Sequence, residues 1–403
     1  MSTRWIPTPA AALDFSMLKN SVIFITLAGF AGAHWHGEHQ TEQMPLTGST
    51  GSADEWLKKY GAQKDLTYTG PLSFAQLDYA RCLETADPVF DIAILGMPFD
   101  TAVSYRPGAR FGPTGIRIGS RRHFRTGFTL SWDFEPYKLA KVVDCGDIPI
   151  NAFDNAVAID QMEVAYSTLL ARPVAKAPGE GGFDATPEFA LDGKAHPRIV
   201  TLGGDHTIVL PILRALGKVY GYVSVIHFDS HFDTGSSKMS THWSYFHIAR
   251  EEGLIRNTSI HAGIREKFNG DMSHDEEVGF KAISADDIDD IGVNEIIRRI
   301  RNRVGDSPVY LSLDIDTVDP GMAPATGTPE AGGWTVREVK RIIRGLSGLN
   351  FVGADIVEVA PAYDHADITS IAAADIAQDF IAMMLTSAPP KSRDERKPWK
   401  DEL

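Results

Sequence analysis

Three short motifs concentrate acidic and histidine side chains. They are Gly203-Gly204-Asp205-His206, Asp229-Ser230-His231-Phe232-Asp233 and Asp314-Ile315-Asp316. Alternate residues of an extended segment project to the same side. Asp229, His231 and Asp233 are therefore expected to share a direction, as are Asp314 and Asp316. With His206 they make a set of two imidazoles and four carboxylates. Carboxylates gathered in one place repel and are driven toward protonation unless cations neutralise them. Two divalent cations would do so. Mixed carboxylate and imidazole donors suit Mn²⁺, with Fe, Co and Zn as competitors. Two metals about 3.5–4 Å apart activate water as a nucleophile at neutral pH. Singly, the motifs have plainer readings: Gly-Gly-Asp-His fits a strand-to-helix turn capped by Asp or His, and Asp-x-Asp is common in loops. Three in succession, each closing an apolar run, carry more weight than any one.

The elements that must position them are short apolar runs alternating with helical patterns. Strands are expected at Asp91–Leu95, Lys141–Asp144, Arg198–Leu202, Val223–His227, Ser259–Ala262, Phe280–Ile283, Val309–Leu313 and Phe351–Ile356. Several are nearly continuous Val, Ile and Leu, as strands covered on both faces are. Helical spacing is expected over Ala156–Ala171, Ile208–Val219, Ser244–Glu252, Val293–Val304, Val336–Leu346 and Ile371–Leu385. This alternation predicts a three-layer α/β/α domain over 71–388 with a central, mostly parallel sheet of about eight strands. All three motifs then fall at the carboxyl ends of strands, where such sheets place their ligands. Pro173–Pro197 reads as a long surface loop inserted before a strand.

Composition agrees with a folded domain. Apolar residues make up 43% and charged residues 23% of 403 residues, close to the globular average. The net charge is −14, which disfavours nucleic-acid phosphates and suits cations. Cys82 and Cys145, the two cysteines, are expected to be free thiols filling space.

The chain ends read as targeting signals. Val22–Ala33 is too short to span a bilayer, which takes roughly 20 residues. Preceded by Lys19 and ending in Ala31-Gly32-Ala33, it fits the apolar region and cleavage site of a signal peptide over 1–33. Asp14 lies in the lead before it, and Met17 is an alternative start. Residues 34–70 are expected to be a loosely ordered extension, with His34, His36 and His39 in a solvated tail. The charged tail 389–403 ends in Lys400-Asp401-Glu402-Leu403, a retrieval signal for the endoplasmic reticulum lumen.

Together these residues resemble the ureohydrolase (arginase/agmatinase) family over roughly 88–386. The resemblance includes Tyr105-Arg-Pro-Gly-Ala-Arg-Phe-Gly-Pro113, the three motifs, Asp316-Thr-Val-Asp-Pro-Gly321 and Val357-Glu-Val-Ala-Pro-Ala-Tyr-Asp364. The first and last stretches look like the agmatinase branch, and the Pro/Gly loop with the signal-like N-terminus looks fungal. The resemblance implies two Mn²⁺ per chain. His206, Asp229, Asp233 and Asp314 would hold one, and Asp229, His231, Asp314 and Asp316 the other, with Asp229 and Asp314 bridging. It also implies that Glu358 holds the guanidinium, that His242 shuttles protons, that Asp233 hydrogen-bonds the attacking group, and that the chain forms trimers or hexamers.

Two positions depart from the pattern. Ser230 replaces Ala, a small change. His242-Trp243-Ser244 stands where the family has His-Gly-Thr, and Trp243 adds a large ring beside the substrate. Among the other histidines, His227 precedes Asp229 by two and could face the pocket, but reads as a packed strand residue, and His261 reads as core or supporting. His123, His196, His274 and His365 read as surface or loop residues, and His247 as an alternative shuttle. The expected reaction is hydrolysis of a guanidino compound to urea and an amine, foremost agmatine to putrescine. The alternatives are 4-guanidinobutyrate, arginine or guanidine as substrate, or a catalytically silent relative retained in the endoplasmic reticulum.

Overall fold

The computed structural model describes residues 55–60, 66–85, 87–123, 131–132, 134–176, 187–237, 240–266 and 272–390. The signal-peptide region, His34, His36, His39, residues 177–186 of the Pro/Gly loop and the Lys400–Leu403 signal lie outside the described residues. The chain divides into two units, Met1–Ala62 and Gln63–Leu403. In the first, Glu55–Tyr60 is a helix inside the stretch expected to be loosely ordered. Lys58 and Lys59 occupy its last turn, where cations complement the helix dipole.

In the second unit, eight apolar runs become strands. They are β1 (Ile92–Met97), β2 (Val142–Asp147), β3 (Arg198–Gly203), β4 (Ser224–Phe228), β5 (Ser259–Ile264), β6 (Phe280–Ser284), β7 (Pro308–Asp314) and β8 (Asn350–Val357). They form one sheet in the order β2-β1-β3-β8-β7-β4-β5-β6. Every pairing is parallel. Each residue of β1, β3, β4, β5 and β7 is buried, so both faces of these strands are covered, while the edge strand β6 exposes Lys281 and Ala282.

Strand alternation splits the core in two. Val200, Ile226, Leu311 and Ile356 pack with Val339, Ile343 and Phe380 of helices Val336–Gly345 and Ile368–Met383. Their neighbours Ile199, Val225, Tyr310 and Val357 pack with Met162, Tyr166 and Leu213 of helices Asn155–Leu170 and Val209–Tyr220. The result is the expected α/β/α stack. It is wholly rather than mostly parallel.

One expectation is corrected. Cys82 and Cys145 are not free thiols but form a disulfide, with Cα atoms 5.2 Å apart. Tyr79 bridges to Asp144 of β2, which runs the segment ahead of β1 beside that strand. That long-range pairing brings the cysteines together, and a separation of 63 residues carries no trace of it.

Candidate metal centre and active site

The four strands that end in chemistry are neighbours in space, β3-β8-β7-β4, although the chain visits them in another order. Register aligns their ends. Phe228 pairs with Leu313, and Asp314 with Val357. One residue further on, Asp229 is level with Asp314 and Val357, and Glu358 follows.

The local geometry differs from simple strand alternation. The chain turns sharply after each strand, and in each motif an aspartate accepts the N–H two residues on. Asp205 accepts from Thr207 at 3.0 Å, Asp229 from His231 at 2.6 Å and Asp314 from Asp316 at 2.8 Å. These Asx turns bring the paired side chains to one side. Asp233 adopts φ 55°, a left-handed conformation that bends the chain again. Gly204 has no room for a side chain: a Cβ there would lie 1.8 Å from the Phe99 carbonyl oxygen.

His206 Nδ1 faces three carboxylates, 3.0 Å from Asp229 Oδ2, 3.1 Å from Asp233 Oδ2 and 3.4 Å from Asp314 Oδ2. Its other nitrogen, Nε2, is 2.8 Å from Ser312 Oγ, whose hydroxyl donates to Asp355 at 2.8 Å. Ser312 therefore accepts from Nε2–H, so that in the neutral imidazole Nδ1 offers its lone pair toward the three carboxylates, where a cation would be needed among them. Without a cation, burial disfavours the imidazolium, but hydrogen bonding to Asp229, Asp233 and Asp314 outweighs it and holds the His206 pKa well above its ordinary value. His206 Nδ1 and Asp229 Oδ2 are both buried without a hydrogen-bond partner. A second group adjoins the first: His231 Nδ1 is 3.3 Å from Asp229 Oδ1 and 3.1 Å from Asp316 Oδ2. Asp316 Oδ2 is likewise unpartnered.

The donor atoms of His206, His227, Asp229 and Asp233 lie within 4.8 Å of one another, as do those of Asp229, His231 and Asp316. Asp229 belongs to both groups. Asp314 joins the first through its contact with His206. Burial, and then the charges of Asp316 and Asp229, hold the Asp314 carboxyl well above its ordinary range. Burial and Asp229 raise Asp316 as well. These orphaned, crowded, acidic donors fit a pair of divalent cations.

His227 is the packed strand residue expected, fully buried in β4 against Phe246, and it also faces Asp229. Its Nε2 is 2.9 Å from Asp229 Oδ2, and its Nδ1 is 2.8 Å from His261 Nδ1. His261 stacks on Phe280 at 4.0 Å. His196 lies in a loop as expected, though buried, with Nδ1 2.8 Å from the Leu170 carbonyl oxygen. His274 departs from the surface-or-loop expectation: it sits in the helix Ser273–Val278 and lines the cavity beside the donor groups, with Nε2 2.7 Å from the Thr234 carbonyl oxygen.

That cavity encloses about 640 Å³. His231, Asp233, His242 and Asp314 line it, together with Ser104, Trp243, Glu266, His274 and Asp275. His242 Nε2 accepts from the Ser104 N–H at 3.0 Å and contacts its hydroxyl at 2.8 Å. Its Nδ1 is thereby protonated, 3.5 Å from Glu358 Oε1. Burial disfavours the His242 imidazolium, but Glu358, together with Asp233 and Asp205, outweighs burial and raises its pKa. Glu358 is 1% exposed and does not itself line the cavity. It is fixed at φ 60° by its N–H to the Gly204 carbonyl at 2.8 Å and by accepting the His206 N–H at 2.9 Å. His247 is not among the cavity-lining residues. The motifs missed Ser104, Glu266, His274 and Asp275, which come from segments with no distinctive spacing.

The sequence profile of the arginase family matches residues 90–383. A fission yeast protein named "Putative agmatinase 1" (Schizosaccharomyces pombe) is 50% identical over 397 residues, covering 94% of this chain and 99% of its own. The agmatinase of Cronobacter sakazakii is 39% identical over 72% of this chain and 85% of its own length. Among solved structures, proclavaminate amidino hydrolase from Streptomyces clavuligerus superposes with a TM-score of 0.69 at 32% identity, covering 80% of this chain and 99% of that one. The chain belongs to the arginase family, in its agmatinase-like branch. It is a ureohydrolase, a hydrolase of guanidino compounds. The expected likeness to fungal members is met by the yeast relative.

Proposed function

We propose that the protein hydrolyses agmatine to putrescine and urea at a pair of manganese ions. The observation that carries this is Asp229, shared by two adjoining donor groups, with Glu358 at the end of β8 facing His242 at 3.5 Å. His206, Asp229, Asp233 and Asp314 would hold one cation, and Asp229, His231, Asp314 and Asp316 the other. When bound, the cations supply water activated at neutral pH.

The chain's own residues do the rest. Glu358, buried behind His242, gives the negative charge that favours a guanidinium cation at the inner end of the cavity. Asp233 accepts a proton from the attacking water and, with His242, passes one to the departing amine. The Ser104 N–H fixes the His242 tautomer by occupying Nε2, so Nδ1–H is the proton at hand.

The same chemistry on 4-guanidinobutyrate is the second reading. Among the described residues lining the cavity, none is Lys or Arg to meet a carboxylate tail. A catalytically silent role is disfavoured because the whole donor set is in place. Urea release from agmatine, 4-guanidinobutyrate, arginine and guanidine, measured with Mn²⁺ alongside metal content, tests these readings. No urea from any of them with metal bound would overturn the assignment.

We also propose that the protein works in an oxidising compartment on the secretory route, the endoplasmic reticulum lumen. The Cys82–Cys145 disulfide supports this, since cytosolic thiols are kept reduced. Amino-terminal sequencing and localisation of protein from its native host would test it. Assembly as trimers or hexamers is proposed from the family, and light scattering would check it.

A further inference from the structure

His242 and Trp243 are consecutive, yet their exposure steps from 9% to 49%. One faces Glu358 and the other opens to solvent, and both line the same cavity. A substrate with its guanidinium at the His242 end therefore extends its tail past the Trp243 ring. The ring is held in place. It lies over Gly235, where a Cβ would fall 1.9 Å from two ring carbons, and the Gly235 N–H donates to the Trp243 carbonyl at 2.9 Å. Three residues earlier in that segment, the Phe232 N–H donates to Glu266 Oε2 at 3.3 Å. One short segment thus carries Trp243 at one end and Glu266 at the other. Asp275, which accepts the Thr234 hydroxyl, adds a second carboxylate to the cavity wall.

We propose that Trp243 and Glu266 form the subsite for the far end of the substrate, and select a chain ending in a cation over one ending in a carboxylate. The inference rests on the guanidino-hydrolase reading of the inner end. A Trp face is the best aromatic partner for an ammonium and also packs methylenes. Burial raises the carboxyls of Glu266, to about 7, and of Asp275; a cationic tail favours their ionised form, whereas a carboxylate tail is repelled by the charge they carry. Trp243 acts on the choice of tail and touches no reacting atom.

The test compares wild type with Trp243→Leu, Trp243→Phe and Glu266→Gln. Its first readout is the ratio of kcat/KM for agmatine to that for 4-guanidinobutyrate. The ratio is expected to fall about tenfold in Trp243→Leu and Glu266→Gln, through KM for agmatine, and to be largely kept in Trp243→Phe. The second readout is calorimetric binding of agmatine and 4-guanidinobutyrate, which needs no turnover. Agmatine affinity is expected to drop about tenfold in Trp243→Leu, with affinity for the acid unchanged or improved. If wild type cleaves agmatine and neither ratio moves in the variants, the subsite is wrong and the hydrolase reading stands. If wild type cleaves neither compound but Trp243→Leu weakens agmatine binding, the subsite stands and the agmatine reaction falls. If agmatine binding is absent or unaffected throughout, the subsite is overturned.

Discussion

Asp229 Oδ2 lies 3.0 Å from His206 Nδ1, although β8 and β7 stand between the strands that carry the two residues. Three strand spacings amount to about 14 Å. The side chains meet because His206 sits three residues beyond β3, in a turn that leans toward the sheet centre, and Asp229 directly follows β4. Asp229 also reaches His231 through its other oxygen, at 3.3 Å. Its two oxygens thus address two donor groups.

Asp229→Asn is therefore expected to lose both metals, and Asp314→Asn to weaken both. The amide keeps the Asx-turn acceptor and the size, so the fold should survive while the bridging charge is lost. Elemental analysis of purified, Mn²⁺-loaded variants measures this. Two metals retained at full activity would refute the bridging role.

Glu358→Gln is expected to keep the metals and lose on the order of 10²-fold or more in kcat/KM, as removing one charge of a buried ionic contact costs about 3–5 kcal/mol. The amide can still accept the His206 N–H, so the strand end should hold its shape. Kinetics on agmatine with parallel metal analysis decides. Near wild-type turnover would show that another group anchors the guanidinium.

Cys145→Ser is expected to destabilise the protein by about 4 kcal/mol, from the loop of 63 residues that the disulfide closes, in the chain-entropy picture. Denaturant unfolding of variant and wild type under non-oxidising and oxidising conditions measures it. Thiol titration of the denatured wild type should find no free thiol. Two reactive thiols in freshly isolated protein would contradict the pairing.

Arg117 is buried and donates to Asp144 at 2.8 Å and to Asp147 at 2.6 Å. Arg117→Met should cost about 3–5 kcal/mol, because it leaves the fully buried Asp144 charge uncompensated. The loss should appear in the unfolding midpoint, while metal content stays at the wild-type level.

The eight strands and the main helices were legible because burial on both faces writes a local apolar run into each strand. The six metal-ligand candidates are legible because three acidic and histidine motifs follow in succession, each closing an apolar run, which capping and loop roles explain singly but not together. Their convergence does not follow the extended alternation that spacing suggests: the chain uses Asx turns and a left-handed Asp233.

By itself, then, the sequence determined the layer type, the strand runs and the residue types of the centre, all of which are local patterns. Only the tertiary structure decided that β3, β8, β7 and β4 are neighbours, and so that residues as far apart as His206 and Glu358 share a hydrogen bond. It also decided that His227 turns to Asp229, that Glu266, His274 and Asp275 line the cavity, and that Cys82 meets Cys145. The physical reason is common to these cases. Such contacts depend on strand order and register across the whole sheet, and long-range pairing leaves no periodic signature in the residues that take part.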